Sequence, residues 1–237
     1  MKMNKNNSNS KFQKAIIFDM DETLISIQNA YNYFDNLIIK VLKILNKKAP
    51  TQSERDKLWR DSNSSSILVD WNINNPKEYW NLFDKIDYIE RKKLAEKGLM
   101  NLRDDVIKNL KKLKKRKNIL LLLATNTPKK IMNFQLKKFK IKKYFKLLFA
   151  LGENQEFCKP NALGLIKIKD ILKQKYDISS ENIFLLGDSL EQDVVAGKSA
   201  AIKTIYINRS KRDISNQKIQ PDFVINSLDE LYSILDQ

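Results

Sequence analysis

Residues 15–24 read AIIFDMDETL. Four apolar residues run without a polar break, and two aspartates, Asp19 and Asp21, then stand one residue apart. A short continuous apolar run fits a strand buried on both faces, as in a parallel sheet. On an extended strand end, residues i and i+2 point the same way, so the pair is expected to face one target. Two neighbouring carboxylates raise one pKa, which favours splitting the pair into an ionised and a protonated member.

Comparable runs recur at ILLLLA (119–124), LLFAL (147–151), IFLL (183–186), TIYI (204–207) and FVI (223–225). Helical patterns lie between them. Residues 102–117 put Leu102, Val106, Leu110 and Leu113 on one face, with Asp104 and Asp105 in the expected first turn and KKLKKRK at the end, which suits the helix dipole. Pro128 and Pro160 read as prolines of a first helical turn. Alternating strands and helices predict an α/β fold, an open parallel sheet. Residues 27–99 break the rhythm with helical patterns rich in aromatics such as Tyr79, Trp80 and Phe83. That span is too long for a loop and reads as a helical insert with its own small core. Within it, DSNSSS (61–66) reads as a loop.

Composition removes several chemistries. The 237 residues contain no histidine and one cysteine, Cys158. His-based triads, His-ligated zinc and an intrachain disulfide are excluded. Cys158 reads as incidental. No apolar run reaches the ~18 residues of a membrane span. The polar opening MKMNKNNSNSK has no apolar core of a secretory signal, so a cytoplasmic protein without membrane attachment is expected. The net charge of +16 admits an anionic partner, but Lys, Asn and Ile are abundant throughout, as in a global compositional drift.

In open α/β sheets, ligands bind beyond the carboxyl ends of the strands. Asp19, Asp21, Glu22 and Thr23 follow the first run. Thr125 and Asn126 follow the second, Lys159 and Pro160 lie beyond the third, and Gly187, Asp188, Ser189 and Asp193 follow the fourth. All are expected on one edge. Asp19 and Asp21 alone also fit a calcium loop, but the EF-hand pattern fails: its Gly is missing and Ile27 stands where an acid is needed.

DxDxT, a strand-end Thr, Lys-Pro and GDSxxxD, in that order, resemble the haloacid dehalogenase (HAD) superfamily of phosphohydrolases. The insert resembles its C1-type cap, and residues 193–207 and 221–235 resemble phosphoglycolate-phosphatase-like members. The resemblance covers residues 13–235. Two subfamily features depart from it: MNLRDD (100–105) lacks a common Pro-Gly, and Ala200-Ala201 replaces an Ala-Gly.

The resemblance implies a three-layer Rossmann-like sheet of order 5-4-1-2-3, with residues 223–225 as a sixth strand beyond the fifth. It implies a polar tail over 1–12, a catalytic core over 13–26 and 100–237, and a cap over 27–99. It also implies a Mg²⁺-dependent phosphatase for a small phosphorylated metabolite. Asp19 would be the nucleophile and Asp21 the acid and base. Thr125, Asn126 and Lys159 would hold the phosphate. Asp19, Asp188 and the backbone carbonyl of Asp21 would hold the metal. Asp193, Thr23 and Ser189 would orient these groups, with Asp193 on Lys159 or a metal-bound water and Thr23 stabilising the turn. Cap side chains such as Arg55, Trp59 and Arg60 are expected to set specificity. Asp21 argues against a dehalogenase, whose carbon–halogen cleavage leaves no oxygen to protonate. The alternatives are a phosphomutase of the same cap class, a polynucleotide-end phosphatase or nucleic-acid binder motivated by the charge, and a non-catalytic regulatory protein. A monomer or weak homodimer is expected.

Overall fold

The computed structural model describes residues 11–60 and 64–236. The tail reading for residues 1–10 and the loop reading for 61–63 lie outside them.

The apolar run at Ala15 builds β1 (Lys14–Phe18), the central strand of the molecule. The chain then forms β2 (Ile25–Ile27), α1 (Ala30–Ile44), α2 (Gln52–Arg60), α3 (Ser64–Asp70), α4 (Pro76–Glu96) and β3 (Met100–Leu102). Next come α5 (Val106–Lys115), β4 (Ile119–Thr125), α6 (Lys129–Lys138), β5 (Leu147–Ala150), α7 (Leu163–Tyr176) and β6 (Ile183–Gly187). The chain ends with α8 (Val195–Ser199), β7 (Lys203–Ile207), β8 (Phe223–Ile225) and α9 (Leu231–Leu235).

The main sheet runs β5-β4-β1-β6-β7-β8 and is parallel throughout. This is the strand order that the sequence implies, including the sixth strand at residues 223–225. Chain order reverses direction at β1, which opens a crevice at the carboxyl ends of β1, β4 and β6. The period of two within β1 assigns its residues to two cores. Ile16 and Phe18 pack with Leu110 and Leu113 of α5, Leu136 of α6 and Leu231 of α9. Ala15 and Ile17 pack with Leu165, Ile168 and Leu172 of α7 and Ala196 of α8. Those two faces with the sheet between them are the three layers.

The aromatics of the long insert build a third cluster. Tyr79, Trp80 and Phe83 of α4 join Leu37, Ile38 and Val41 of α1 and Leu58 of α2. The start of α4 follows its sequence: Asn75 accepts a hydrogen bond from the Glu78 N–H at 3.1 Å, and Pro76 occupies the first position. Among the described residues no helix is long and apolar enough to cross a membrane.

Five local features differ from the sequence reading. A two-stranded antiparallel pair, β2 with β3, joins the entry and exit of the insert; three-residue strands are too short to show a period. The helix read over 102–117 starts at Val106, because Leu102 belongs to β3. Asp105 caps nothing with its side chain; its carboxylate takes Arg209, Ser227 and the Leu228 N–H instead. Pro160 lies before α7, which begins at Leu163, and Ser64–Ser66 open α3 rather than a loop.

Candidate functional site

The crevice gathers the connector residues of four strands. Asp19 directly follows β1, and its N–H is anchored on the Leu186 carbonyl of β6 at 2.9 Å. Lys159, on the segment between β5 and α7, donates from Nζ to Asp19 Oδ1 and to Asp193 Oδ1, each at 2.6 Å. Asp193 sits in a single wide π-type turn after β6 (Leu190–Val194), and its Oδ2 accepts the Ser189 N–H at 3.1 Å. Thr23 donates its hydroxyl to Asp188 Oδ1 at 2.9 Å. Thr23 therefore bears on Asp188, beyond its expected turn role. Ser189 accepts the Gln192 N–H and starts the turn that carries Asp193.

Gly187 makes this turn possible. A Cβ there would lie 2.1 Å from Asp193 Cγ. Gly187→Ala is expected to push Asp193 away from Lys159 and to cost about 2 kcal/mol by overpacking, read in denaturant melts of the two proteins.

Asn126 lines the cavity and also holds Lys159. Its Oδ1 accepts the Lys159 N–H at 2.8 Å and its Nδ2 donates to the Lys159 carbonyl at 2.7 Å. Both polar ends of the amide grip the backbone of Lys159, so its side chain aims the lysine. Thr125 is buried, accepts the Thr127 N–H at 3.1 Å and lines the cavity.

Asp21 holds a position that the sequence did not reveal. Arg91 of α4 donates from Nη1 to Asp21 Oδ1 at 2.7 Å. Gln135 of α6 donates to the same oxygen at 2.9 Å, and the Thr127 hydroxyl to Oδ2 at 2.8 Å. Arg91 is 1% exposed; it also pairs with Asp87 at 2.8 Å, and Asp87 accepts the Tyr33 hydroxyl at 2.5 Å. An i,i+4 Asp–Arg pair on a helix ordinarily reads as a solvated surface pair, so no sequence signal marked Arg91.

The electrostatics follow from these contacts. Burial pushes the Asp19 carboxyl up to about 7, against the pull of Lys159 and aided by the Asp193 and Asp21 carboxylates. Burial also opposes the ionised form of Asp21, but Arg91, Gln135 and Thr127 together bring its carboxyl below the ordinary value. With protein groups alone, the split within the pair is thus the reverse of the expected one, because of the arginine over Asp21. Burial disfavours the charged Lys159, yet Asp19 and Asp193 hold its ammonium above the usual lysine range. Burial pushes the Cys158 thiol up to about 12, consistent with an inert cysteine.

The donor set fits a hard divalent cation. Carboxylate oxygens of Asp19, Asp188 and Asp193 lie within 4.8 Å of one another. The Lys159 ammonium serves Asp19 and Asp193, whereas Asp188 is met only by the neutral Thr23 hydroxyl among the described residues. Burial and the Asp193 and Asp19 carboxylates raise Asp188 well above the carboxylate range. An all-oxygen site with such a charge excess suits Mg²⁺.

Above these groups lies a cavity of about 400 Å³, closed on its far side by Tyr31, Phe34, Trp59, Phe83 and Asp84. Of the three specificity candidates, only Trp59 lines it. Arg55 is turned onto Asp35 at 2.6 Å and the Pro50 carbonyl, and Arg60 borders a separate groove with Glu191 and Ser199. Gln192 was not anticipated; it donates to the Trp59 carbonyl at 2.9 Å and joins α2 to the site.

Known proteins resemble this chain over nearly its whole length. The mouse N-acylneuraminate-9-phosphatase is 26% identical, over 94% of this chain and 93% of its own. The pyrimidine 5'-nucleotidase PynA of Streptococcus pneumoniae is 25% identical, over 95% and 96%. The crystal structure of the HAD-hydrolase YfnB from Bacillus subtilis, bound to magnesium, superposes with a TM-score of 0.62 at 20% identity, covering 95% of this chain and all of that one. The family model for haloacid dehalogenase-like hydrolases matches residues 16–207, from within β1 to the end of β7, and so spans every strand-end group described above. By that match, the chain belongs to the haloacid dehalogenase-like hydrolases.

Proposed function

We propose that the protein is a Mg²⁺-dependent phosphatase that hydrolyses a small phosphomonoester through an aspartyl-phosphate. The observation that carries this is Lys159 bound to both Asp19 and Asp193, beside Asp188, at the carboxyl edge of the sheet. The phosphatase and nucleotidase names of the two full-length relatives support it.

Lys159 and the Thr125 hydroxyl hold phosphate oxygens, and Asn126 aims Lys159 by clamping its backbone. An Asp19 carboxylate oxygen attacks phosphorus as the bond from phosphorus to the leaving oxygen breaks, which gives the acyl phosphate. Asp21, which must first take up a proton from solvent against the pull of Arg91, delivers it to that oxygen, then takes one from the water whose oxygen attacks phosphorus in the second step; phosphate leaves and the Asp19 carboxylate is restored. Arg91 favours ionised Asp21, the form that the second step needs. Asp19, Asp188 and the Asp21 backbone carbonyl would hold Mg²⁺, whose charge offsets the carboxylates and the phosphate dianion. Asp193 keeps Lys159 in place, Thr23 orients Asp188, and Ser189 supports the turn of Asp193. Helices α1–α4 act as a lid that limits water and selects the leaving group.

A panel of phosphomonoesters, with Mg²⁺ and then with excess chelator, tests this. Inorganic phosphate is expected with the metal and background release without it. Transfer of phosphate between sugar positions with no net release would replace the phosphatase by a mutase.

A further inference from the structure

The wall facing the phosphate site is acidic, although the chain carries a net charge of +16. From α1, α2 and α4, Asp35, Asp56, Asp84 and Asp87 line the cavity, and Arg91 is the one basic residue among its lining. Asp35 is neutralised by Arg55, with bonds of 2.6 and 2.8 Å, and Asp87 by Arg91. The other two, Asp56 and Asp84, make no ion pair among the described residues and feel Arg55 and Arg91 only at longer range. Among the described residues, Asp56 accepts only the Tyr31 hydroxyl, at 2.9 Å, and Asp84 has no hydrogen bond or ion pair. Burial, with the Asp87 and Glu153 carboxylates, pushes the Asp84 carboxyl up to about 7. A positive charge in the cavity would relieve that cost.

Aromatic rings adjoin these acids. The Trp59 ring lies 5.6 Å from that of Phe83 and 5.7 Å from that of Phe34, and all three rings line the same cavity. Carboxylates set among aromatic faces recognise cationic nitrogen. A leaving group with a carboxylate or a second phosphate would meet like charge instead. Arg55 and Arg60 do not line the cavity, and Arg91 is already held by Asp21 and Asp87.

We propose that the cleft selects phosphomonoesters whose leaving group carries a cationic nitrogen, with Asp84 as its anionic contact and the Trp59–Phe83 ring pair as its flank. This rests on the phosphatase function proposed above and adds the leaving group to it.

Two matched comparisons with the full chain and Mg²⁺ test it: phosphoethanolamine against phosphoglycolate, and glucosamine 6-phosphate against glucose 6-phosphate. The member with the amine is expected to show at least tenfold higher kcat/KM in each, carried mainly by KM. In Asp84→Asn both ratios are expected to fall towards one, and in Asp84→Glu to recover in part, with thermal melts reporting the fold. Ratios at or below one in the parent protein, ratios unmoved by Asp84→Asn, or higher kcat/KM for uridine monophosphate than for either amine would overturn the proposal and leave the phosphatase standing. Hydrolysis of p-nitrophenyl phosphate with neither amine turned over has the same meaning. Release from no phosphomonoester at all would overturn both.

Discussion

Asp19→Asn is expected to abolish phosphate release, with a loss of at least about 10⁴-fold in kcat. The amide keeps the shape of the carboxyl but supplies no nucleophilic oxygen to phosphorus. The fold should not suffer. Asp19 is a buried carboxylate whose ionised form is disfavoured by burial and by the neighbouring Asp193 and Asp21. Lys159 keeps Asp193 as its partner, so one carboxylate still answers the ammonium. The melting temperature of the metal-free variant is therefore expected to hold or rise. Loss of activity together with loss of folded protein would assign Asp19 a supporting role, and activity equal to the parent would remove it from the chemistry.

Arg91→Met carries the largest expected effect on stability. Arg91 is fully enclosed and answers two carboxylates, Asp21 and Asp87. Without it Asp87, itself 3% exposed, keeps only the Tyr33 hydroxyl. Breaking a buried pair from one side costs about 3–5 kcal/mol, because a charge is left uncompensated. At ~2–4 °C per kcal/mol for a chain of this size, the melting temperature should fall by roughly 10 °C. Arg91→Met combined with Asp87→Leu removes that pair and should recover part of the loss, the remainder falling on Asp21, which keeps only the Gln135 and Thr127 donors among the described residues. Activity should not recover with stability. Asp21 loses a donor in both variants, and displacing a catalytic group by about an ångström costs on the order of 10²-fold. Equal recovery of melting temperature and kcat in the double variant would show that Arg91 serves only the fold.

The contrast between Asp19 and Arg91 shows what the amino-acid order makes legible. Asp19, Asp188 and Thr125 stand at or directly beyond the ends of strands buried on both faces, and such strands announce themselves by unbroken apolar runs. The parallel topology then fixes the edge on which their side chains meet. Arg91, Thr127, Gln135 and Gln192 are legible in no such way. Arg91 reaches Asp21 only because α4 folds back against the crevice, 70 positions along the chain. The β2–β3 pair is not legible because three residues carry no period, and the grip of Asn126 on the Lys159 backbone is not, because placement at a strand end does not say where an amide turns. Arg55 and Arg60 misled for the opposite reason. Basic residues near a phosphate site invite a binding role, yet the structure turns one onto Asp35 and the other towards a separate groove.

The small β2–β3 ladder has a bearing on ancestry. Ile27 is the register partner of Met100, and the Gln28 N–H donates to the Leu99 carbonyl at 2.9 Å. The chain thus leaves the sheet domain and returns to it at one point, already stitched shut. To the sheet, everything between Gln28 and Leu99 is a loop of fixed ends. Changing the length of such a loop costs only a logarithmic closure entropy. A lineage can therefore trade one helical excursion for another, with a new set of acids, bases and rings facing the crevice, while Asp19, Lys159 and Asp188 stay where the strands put them.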